Sequence, residues 1–149
     1  MNHLPLVTFI AGTRPEAIKL APLISEVRKK DLFRTRVILS GQHRDIVSDI
    51  LDSFEISPDL DLDIMLKNQS LSYLTSQIIL QLEKEFSEMK PDLLIIQGDT
   101  NTAFAGALAA FYQRIPVGHL EAGLRTDSLD NPFPEEANRR LISQIAALH

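Results

Sequence analysis

Leu93-Leu94-Ile95-Ile96 carries no polar residue on either face that a strand would present. A strand of that composition must be covered on both sides, and such strands belong to parallel sheets sandwiched between helices. The rest of the chain is punctuated to match. Leu6 to Ala11 is another short apolar run, and Arg36 to Leu39 and Pro116 to His119 are two more. Leu60, Leu62 and Ile64 alternate with Asp61 and Asp63, the pattern of a short edge strand. Helical stretches fill the intervals: Pro15 to about Lys30, Arg44 to Phe54, Ser70 to Met89 and Thr100 to Gln113. A long polar loop from Glu121 to Pro134 then leads into a last helix, Glu135 to about Leu148. Regular alternation of strand and helix predicts an α/β fold built on a doubly wound parallel sheet.

Local signals support these boundaries. Pro15 suits a first helical turn, where its missing N–H is harmless, and the basic run Arg28 to Lys30 suits a helix C-terminus. Ile18, Ala21, Pro22 and Ile24 to Val27 give that helix its apolar face, with Pro22 placed to kink it. Ile46, Val47, Ile50, Leu51 and Phe54 form the stripe of the second helix. Ser70 or Ser72 is the expected N-cap of the third, and Lys90-Pro91-Asp92 stops it.

A chain of 149 residues is enough for one domain with a full core. Its net charge is −5, with the acids scattered and no basic stripe, which argues against a nucleic-acid partner. The absence of cysteine excludes disulfides and thiolate metal sites and suits a reducing compartment. The N-terminus lacks the basic n-region of a signal peptide, and no run approaches the roughly 18 apolar residues of a membrane helix. A soluble cytoplasmic protein with no membrane partner is the expectation. The chain stops at Ala147-Leu148-His149, at the end of a predicted helix and with no closing strand, so one domain of a longer protein is expected.

In such a sheet the carboxyl ends of the strands share one edge, and ligands bind there. Three strand ends carry polar clusters: Gly12-Thr13-Arg14-Pro15-Glu16, Gln97-Gly98-Asp99-Thr100 and His119-Leu120-Glu121-Ala122-Gly123-Leu124-Arg125. Neither G-x-G-x-x-G nor the P-loop is present, so NAD is not held in the usual way, and there is no G-x-S-x-G nucleophile elbow. No His/Asp/Glu set has metal-ligand spacing. Arg14 and Lys19 are placed as a cationic clamp for phosphate, or as solvated helix charges. Glu16 reads as a first-turn helix charge. Asp99 is either the N-cap of the next helix or a carboxylate of a site. Glu121 is either a salt-bridge partner of Arg125 or a second such carboxylate. Glu135 and Glu136 both open a helix, and one of them suffices for a structural role. His43 and His119 are each a candidate base or, more in keeping with their positions, a hydrogen-bonded spacer. Together Asp99, Glu121 and Glu135 are expected on one rim opposite Arg14. Carboxylates grouped in that way drive one another's pKa values apart and provide an acid and a base from one residue type.

The ordered set of segments resembles the amino-terminal half of the non-hydrolysing UDP-N-acetylglucosamine 2-epimerases. The matching segments are Gly12 to Lys19, Gln42-His43-Arg44, Gly98-Asp99-Thr100, Ala109 to His119, Glu121 to Thr126 and Pro132 to Arg139. The resemblance implies a Rossmann-like domain, one of two in a GT-B-like architecture, with residues 1–149 forming the amino-terminal domain and a carboxy-terminal domain absent from this chain. It implies interconversion of UDP-GlcNAc and UDP-ManNAc: UDP is eliminated to leave a 2-acetamidoglucal, then added back with the proton delivered to the other face of C2. No cofactor and no metal is implied. Arg14 and Lys19 would meet the substrate, Arg14 at the diphosphate. Asp99, Glu121 and Glu135 would be the catalytic acid/base carboxylates. Gln42 and His43 match a segment tied, in bacterial members, to an activating second UDP-GlcNAc, although Asn68 stands where activated members carry an Arg. A homodimer formed through this half and a role in cell-surface polysaccharide supply are also implied. The alternatives are a hydrolysing or modified-UDP-sugar epimerase and a non-catalytic sugar-nucleotide-binding domain.

Overall fold

The computed structural model describes residues 4–41 and 44–149. Five parallel strands form one sheet: β1 (Leu6–Ala11), β2 (Arg34–Leu39), β3 (Leu60–Asp61), β4 (Leu93–Gln97) and β5 (Val117–Leu120). Their order is β3-β2-β1-β4-β5. The direction of winding reverses between β1 and β4, so the crevice at their carboxyl ends is the topological switch point of the fold. Register is fixed there by Phe9 opposite Ile95 and, across the next pair, Gln97 opposite Leu120.

The period-2 alternation of the strands divides the core in two. Val7, Phe9, Ala11, Val37, Leu39 and Ile95 point to one face, where α1 (Arg14–Lys29) and α2 (Arg44–Ser53) cover them. Ile10, Ile38, Leu94 and Ile96 point to the other, under α3 (Leu71–Glu88), α4 (Asn101–Tyr112) and α5 (Glu135–Ile145). α4 lies close to the sheet because its inward side is alanine and Gly106; a Cβ on Gly106 would stand 3.2 Å from Ile10 Cγ2. The doubly wound α/β architecture read from the alternation of runs is the one observed.

Several expectations are corrected in detail. β2 begins at Arg34, two residues earlier than the apolar run, because strand pairing with β1 extends past the buried part. α1 runs unbroken through Pro22, which lies on its exposed side. Its buried face is Ala17, Leu20, Ala21 and Ile24, whereas Ile18 is exposed. Ile46 of α2 is likewise exposed, and so is Phe54, which follows the last residue of that helix, Ser53. The last helix stops at Ile145, not Leu148: Ala146 turns extended, Ala147 N donates to Val117 O at 2.8 Å, and Leu148 bridges Gly118 in parallel. The apolar tail therefore lies against the edge of β5. Ser70, not Ser72, caps α3, its Oγ accepting from Tyr73 N at 3.1 Å. Among the described residues no helix is long and apolar enough to cross a membrane.

Candidate active site

The switch point is built first of backbone. Gly12 follows β1 where nothing larger fits: a Cβ there would collide with Ser40 Oγ and Thr102 Oγ1. Gly98 follows β4 with φ +72°, a conformation glycine adopts without cost. The two turns lead into the N-termini of α1 and α4, and both are tied to Glu16. This carboxylate is 1 % exposed. Its Oε2 accepts from Gly12 N at 2.9 Å, Thr13 N at 2.7 Å and Thr13 Oγ1 at 2.8 Å, and its Oε1 accepts from Thr100 Oγ1 at 2.6 Å. Burial pushes the Glu16 carboxyl above its ordinary value, against the opposing pull of those hydrogen bonds. Glu16 is thus more than a first-turn charge: it staples the β1–α1 turn to the β4–α4 turn.

Thr100 resolves the double reading of Asp99. It is Thr100 that caps α4, its Oγ1 accepting from Ala103 N at 3.0 Å, and this leaves the Asp99 side chain free for other work. Asp99 Oδ2 is paired with Nη1 of Arg139, which is buried on α5. Asn138 Nδ2 donates to the Asp99 carbonyl at 2.9 Å and to Asn101 Oδ1 at 3.1 Å. A cavity of about 230 Å³ opens beside this cluster, lined by Thr13, Leu71, Leu74, Asp99, Thr100, Asn101, Pro134 and Glu135. The N-termini of α1, α3, α4 and α5 all reach it, and their dipoles favour negative charge there.

Glu135 and Glu136 divide the two roles anticipated for them. Glu136 is fully buried and structural: its Oε1 accepts from Arg140 Nε at 2.7 Å and its Oε2 from Arg139 Nε and Nη2 at 3.0 and 2.7 Å. Hydrogen bonds from Arg140 and then Arg139 hold its carboxyl down at about 2. Glu135 faces the cavity, and its Oε2 is shut off from solvent with no hydrogen-bond partner among the described residues.

Glu121 lies elsewhere on the rim. Its backbone has φ +61°, strained for a residue with a side chain, at the end of β5. Its Oε2 meets Lys19 Nζ of α1 and Gln97 Nε2 of β4. Of the two readings of Glu121, the salt bridge to Arg125 is not made: Arg125 donates to the carbonyls of Ala122 and Leu124 and to Ser143 Oγ, because the loop turns it toward α5. The three sequence-derived carboxylates therefore share the carboxyl edge of the sheet but not one pocket. Asp99 and Glu135 line the cavity, while Glu121 stands beside α1 with Lys19. Arg14, in the first turn of α1, is exposed and makes no ion pair or hydrogen bond among the described residues. His119 is the hydrogen-bonded spacer: it is 2 % exposed, its Nε2 donates to Gly98 O at 2.6 Å, and burial lowers its pKa. Gln42 and His43 lie outside the described residues.

Sequence reasoning did not pick out Thr100, Gln97, Asn138 or Arg139 as parts of the site. One signal was available. Asn138 and Arg139 stand three and four residues after Glu135, so all three share a helix face.

The family model for UDP-N-acetylglucosamine 2-epimerase matches residues 25–149. The UDP-N-acetylglucosamine 2-epimerase of Bacillus subtilis is 48% identical over 149 residues, covering 100% of this chain and 39% of that protein. The enzyme of the same name from Neisseria meningitidis is 51% identical over 143 residues, 96% of this chain and 38% of that protein. The crystal structure of UDP-GlcNAc 2-epimerase from Neisseria meningitidis bound to UDP-GlcNAc superposes with a TM-score of 0.92 at 51% identity, covering 97% of this chain and 39% of that one. The chain thus spans about two fifths of the length of the relatives it matches. The chain belongs to the UDP-N-acetylglucosamine 2-epimerase family.

Proposed function

We propose that residues 1–149 are the amino-terminal domain of an enzyme that interconverts UDP-GlcNAc and UDP-ManNAc. The observation that carries this reading is the pairing of Asp99 and Glu135 around one cavity at the switch point, in a chain of this family. Two carboxylates set into one recess suit proton removal from one face of a carbon and return to the other.

The reaction balances with no oxidation. A carboxylate takes the C2 proton, the C1–O bond breaks, and UDP leaves with the bonding pair. The resulting 2-acetamidoglucal has a C1–C2 double bond. A protonated carboxyl on the opposite side then delivers a proton to C2, and the UDP oxygen closes on C1 again. Charge develops on the diphosphate as the bond breaks. Arg14, exposed and without a carboxylate partner among the described residues, stands at the positive end of α1 to meet it. Lys19 holds Glu121 on the same rim. Asp99, Glu121 and Glu135 are the acid/base groups, and Gln42 and His43 are the candidate contacts of an activating nucleotide sugar.

A carboxy-terminal domain closes the cleft in this reading, and the enzyme works as a cytoplasmic homodimer. The test is a proton NMR time course of UDP-GlcNAc in D₂O with the full-length parent, run beside the 149-residue chain. Deuterium entering C2 together with UDP-ManNAc is the expected result for the parent, with no turnover by the chain alone. A parent that neither exchanges C2–H nor forms UDP-ManNAc would sink the proposal, and stoichiometric release of free UDP would move it to a hydrolysing enzyme.

A further inference from the structure

The approach of α5 to Asp99 is more specific than helix packing requires. Arg139 is 4 % exposed, a position arginine occupies only when its donors are matched. Its Nε and Nη2 grip Oε2 of Glu136, and its remaining arm reaches Oδ2 of Asp99. Glu136 is already shared with Arg140. Two guanidiniums and one carboxylate leave a positive charge unbalanced, and Asp99 is the group that balances it. One residue earlier, Asn138 fixes the backbone carbonyl of Asp99 and, through Asn101 Oδ1, the first turn of α4.

We propose that Arg139 and Asn138 form a two-point clamp that fixes the rotamer of Asp99 and leaves Oδ1 as the oxygen presented for proton transfer at C2. This rests on the epimerase reading above. Arg139 and Asn138 do not touch the reacting atoms; they are positioning residues. The clamp also sets the separation of two carboxylates. Glu135, Asn138 and Arg139 fall within one turn of α5, so the helix that carries Glu135 into the cavity also holds Asp99 across from it. Displacement of a catalytic group by about 1 Å costs on the order of 10²-fold in rate, so a rigid link of this kind has a kinetic consequence.

The experiment is a double-mutant cycle in the full-length parent. Turnover and C2 deuterium incorporation are measured for the wild type, D99N, R139M and the D99N/R139M double variant, with thermal melts of each. R139M is expected to lose about 10²-fold or more in kcat, the scale of a lost acid–base group, with KM nearly unchanged. The double variant is expected to fall no further than the worse single variant within about threefold, because both act on one device. Losses that multiply, or a loss confined to KM, overturn the clamp. Should R139M melt below the assay temperature, R139K replaces it: lysine keeps the charge but cannot span both carboxylates, so the same pattern is expected. A crystal structure of the Arg139 variant gives a readout that needs no turnover. Asp99 is expected to leave its present rotamer, and an unmoved side chain overturns the clamp whether or not the parent is an epimerase. A wild-type parent with no C2 exchange defeats the epimerase reading alone.

Discussion

Glu16 offers the sharpest test of how the switch point is held together. Glu16→Ala strands two buried backbone N–H groups, those of Gly12 and Thr13, and removes the acceptor of two hydroxyls, those of Thr13 and Thr100. The hydroxyls can rotate and find other acceptors, whereas the amides cannot. At about 1–3 kcal/mol for each buried group left unsatisfied, the two amides imply a loss of about 2–6 kcal/mol. The carboxylate's own burial penalty disappears with it, which draws the net toward the lower end, about 2 kcal/mol, or roughly 4–8 °C in Tm for a chain of this size. Glu16→Gln should behave differently. Its oxygen keeps the three donors now on Oε2, and its NH₂ faces the Thr100 hydroxyl, which can accept, so the cost should stay within about 1 kcal/mol. The pH dependence has a definite sign. Burial raises the folded pKa above the ordinary 4.5, so the native state binds the proton more tightly than the unfolded chain. The stability Glu16 contributes is therefore fully present below about pH 4.5 and is lost as pH rises through the folded pKa, with a slope of at most about 1.4 kcal/mol per pH unit. Glu16→Gln imitates the protonated form and lacks this slope. Urea unfolding of both chains by circular dichroism from pH 4 to 8 would show wild type losing ground to Glu16→Gln as pH rises. A difference that grows in the opposite direction, or Glu16→Ala no worse than Glu16→Gln, would refute the staple.

The other predictions concern single residues. Glu136, held at about 2 by Arg140 and Arg139, contributes stability that is present above the ordinary 4.5 and lost as pH falls toward 2; thermal melts across that window should show the wild type falling to meet Glu136→Gln. Gly98→Ala adds a Cβ that meets nothing within 4 Å, so its cost is the left-handed backbone alone, about 1 kcal/mol by urea titration. Arg14→Ala in the full-length parent should weaken UDP binding about 10- to 100-fold by calorimetry, the scale of a charge-assisted contact, while leaving the melting temperature of the exposed site nearly unchanged.

Much of the fold was legible because the alternation of apolar runs with helical stretches leaves a parallel sheet as the economical solution, and Leu93 to Ile96 demanded cover on both faces. What misled was the assumption that every apolar residue at helical spacing points inward. Ile18 and Ile46 obey the period but lie beyond the width of the face that α1 and α2 bury, and Phe54 follows the end of α2. The end of α5 was missed for a related reason. Ile145, Ala146 and Leu148 continue a helical composition, but the open edge of β5 offers their backbone a parallel partner, and pairing there replaces another helical turn. In the site, residue types were legible and partners were not. Closeness in sequence offers Arg125 as one partner for Glu121, whereas the fold brings Lys19 to it from 102 positions away. Long-range partners of this kind follow from strand order, and no local pattern encodes the order β3-β2-β1-β4-β5.

The ion pairs of the rim also bear on where the rest of the proposed site must come from. Lys19 faces Glu121, Arg139 is divided between Glu136 and Asp99, and Arg140 lies on Glu136. Arg125 directs its donors to two carbonyls and Ser143. Each of these cations is already engaged, and withdrawing Arg139 to serve a ligand would leave Asp99 without its ion partner. Among the described residues of the rim, Arg14 alone stands uncommitted. A UDP leaving group carries more than one negative charge, and the four helix N-termini at the cavity supply only partial charge, about half a unit each, within a turn of their ends. One arginine and helix dipoles can orient a diphosphate but leave much of its developing charge to solvent. In the proposed reaction the remaining donors have to approach from the open side of the crevice, the side on which a second domain would close. Among the described residues of the rim, Asp99, Glu121 and Glu136 are held by internal cations while Arg14 is exposed and unpaired, the arrangement the proposed reaction needs on one wall of a cleft.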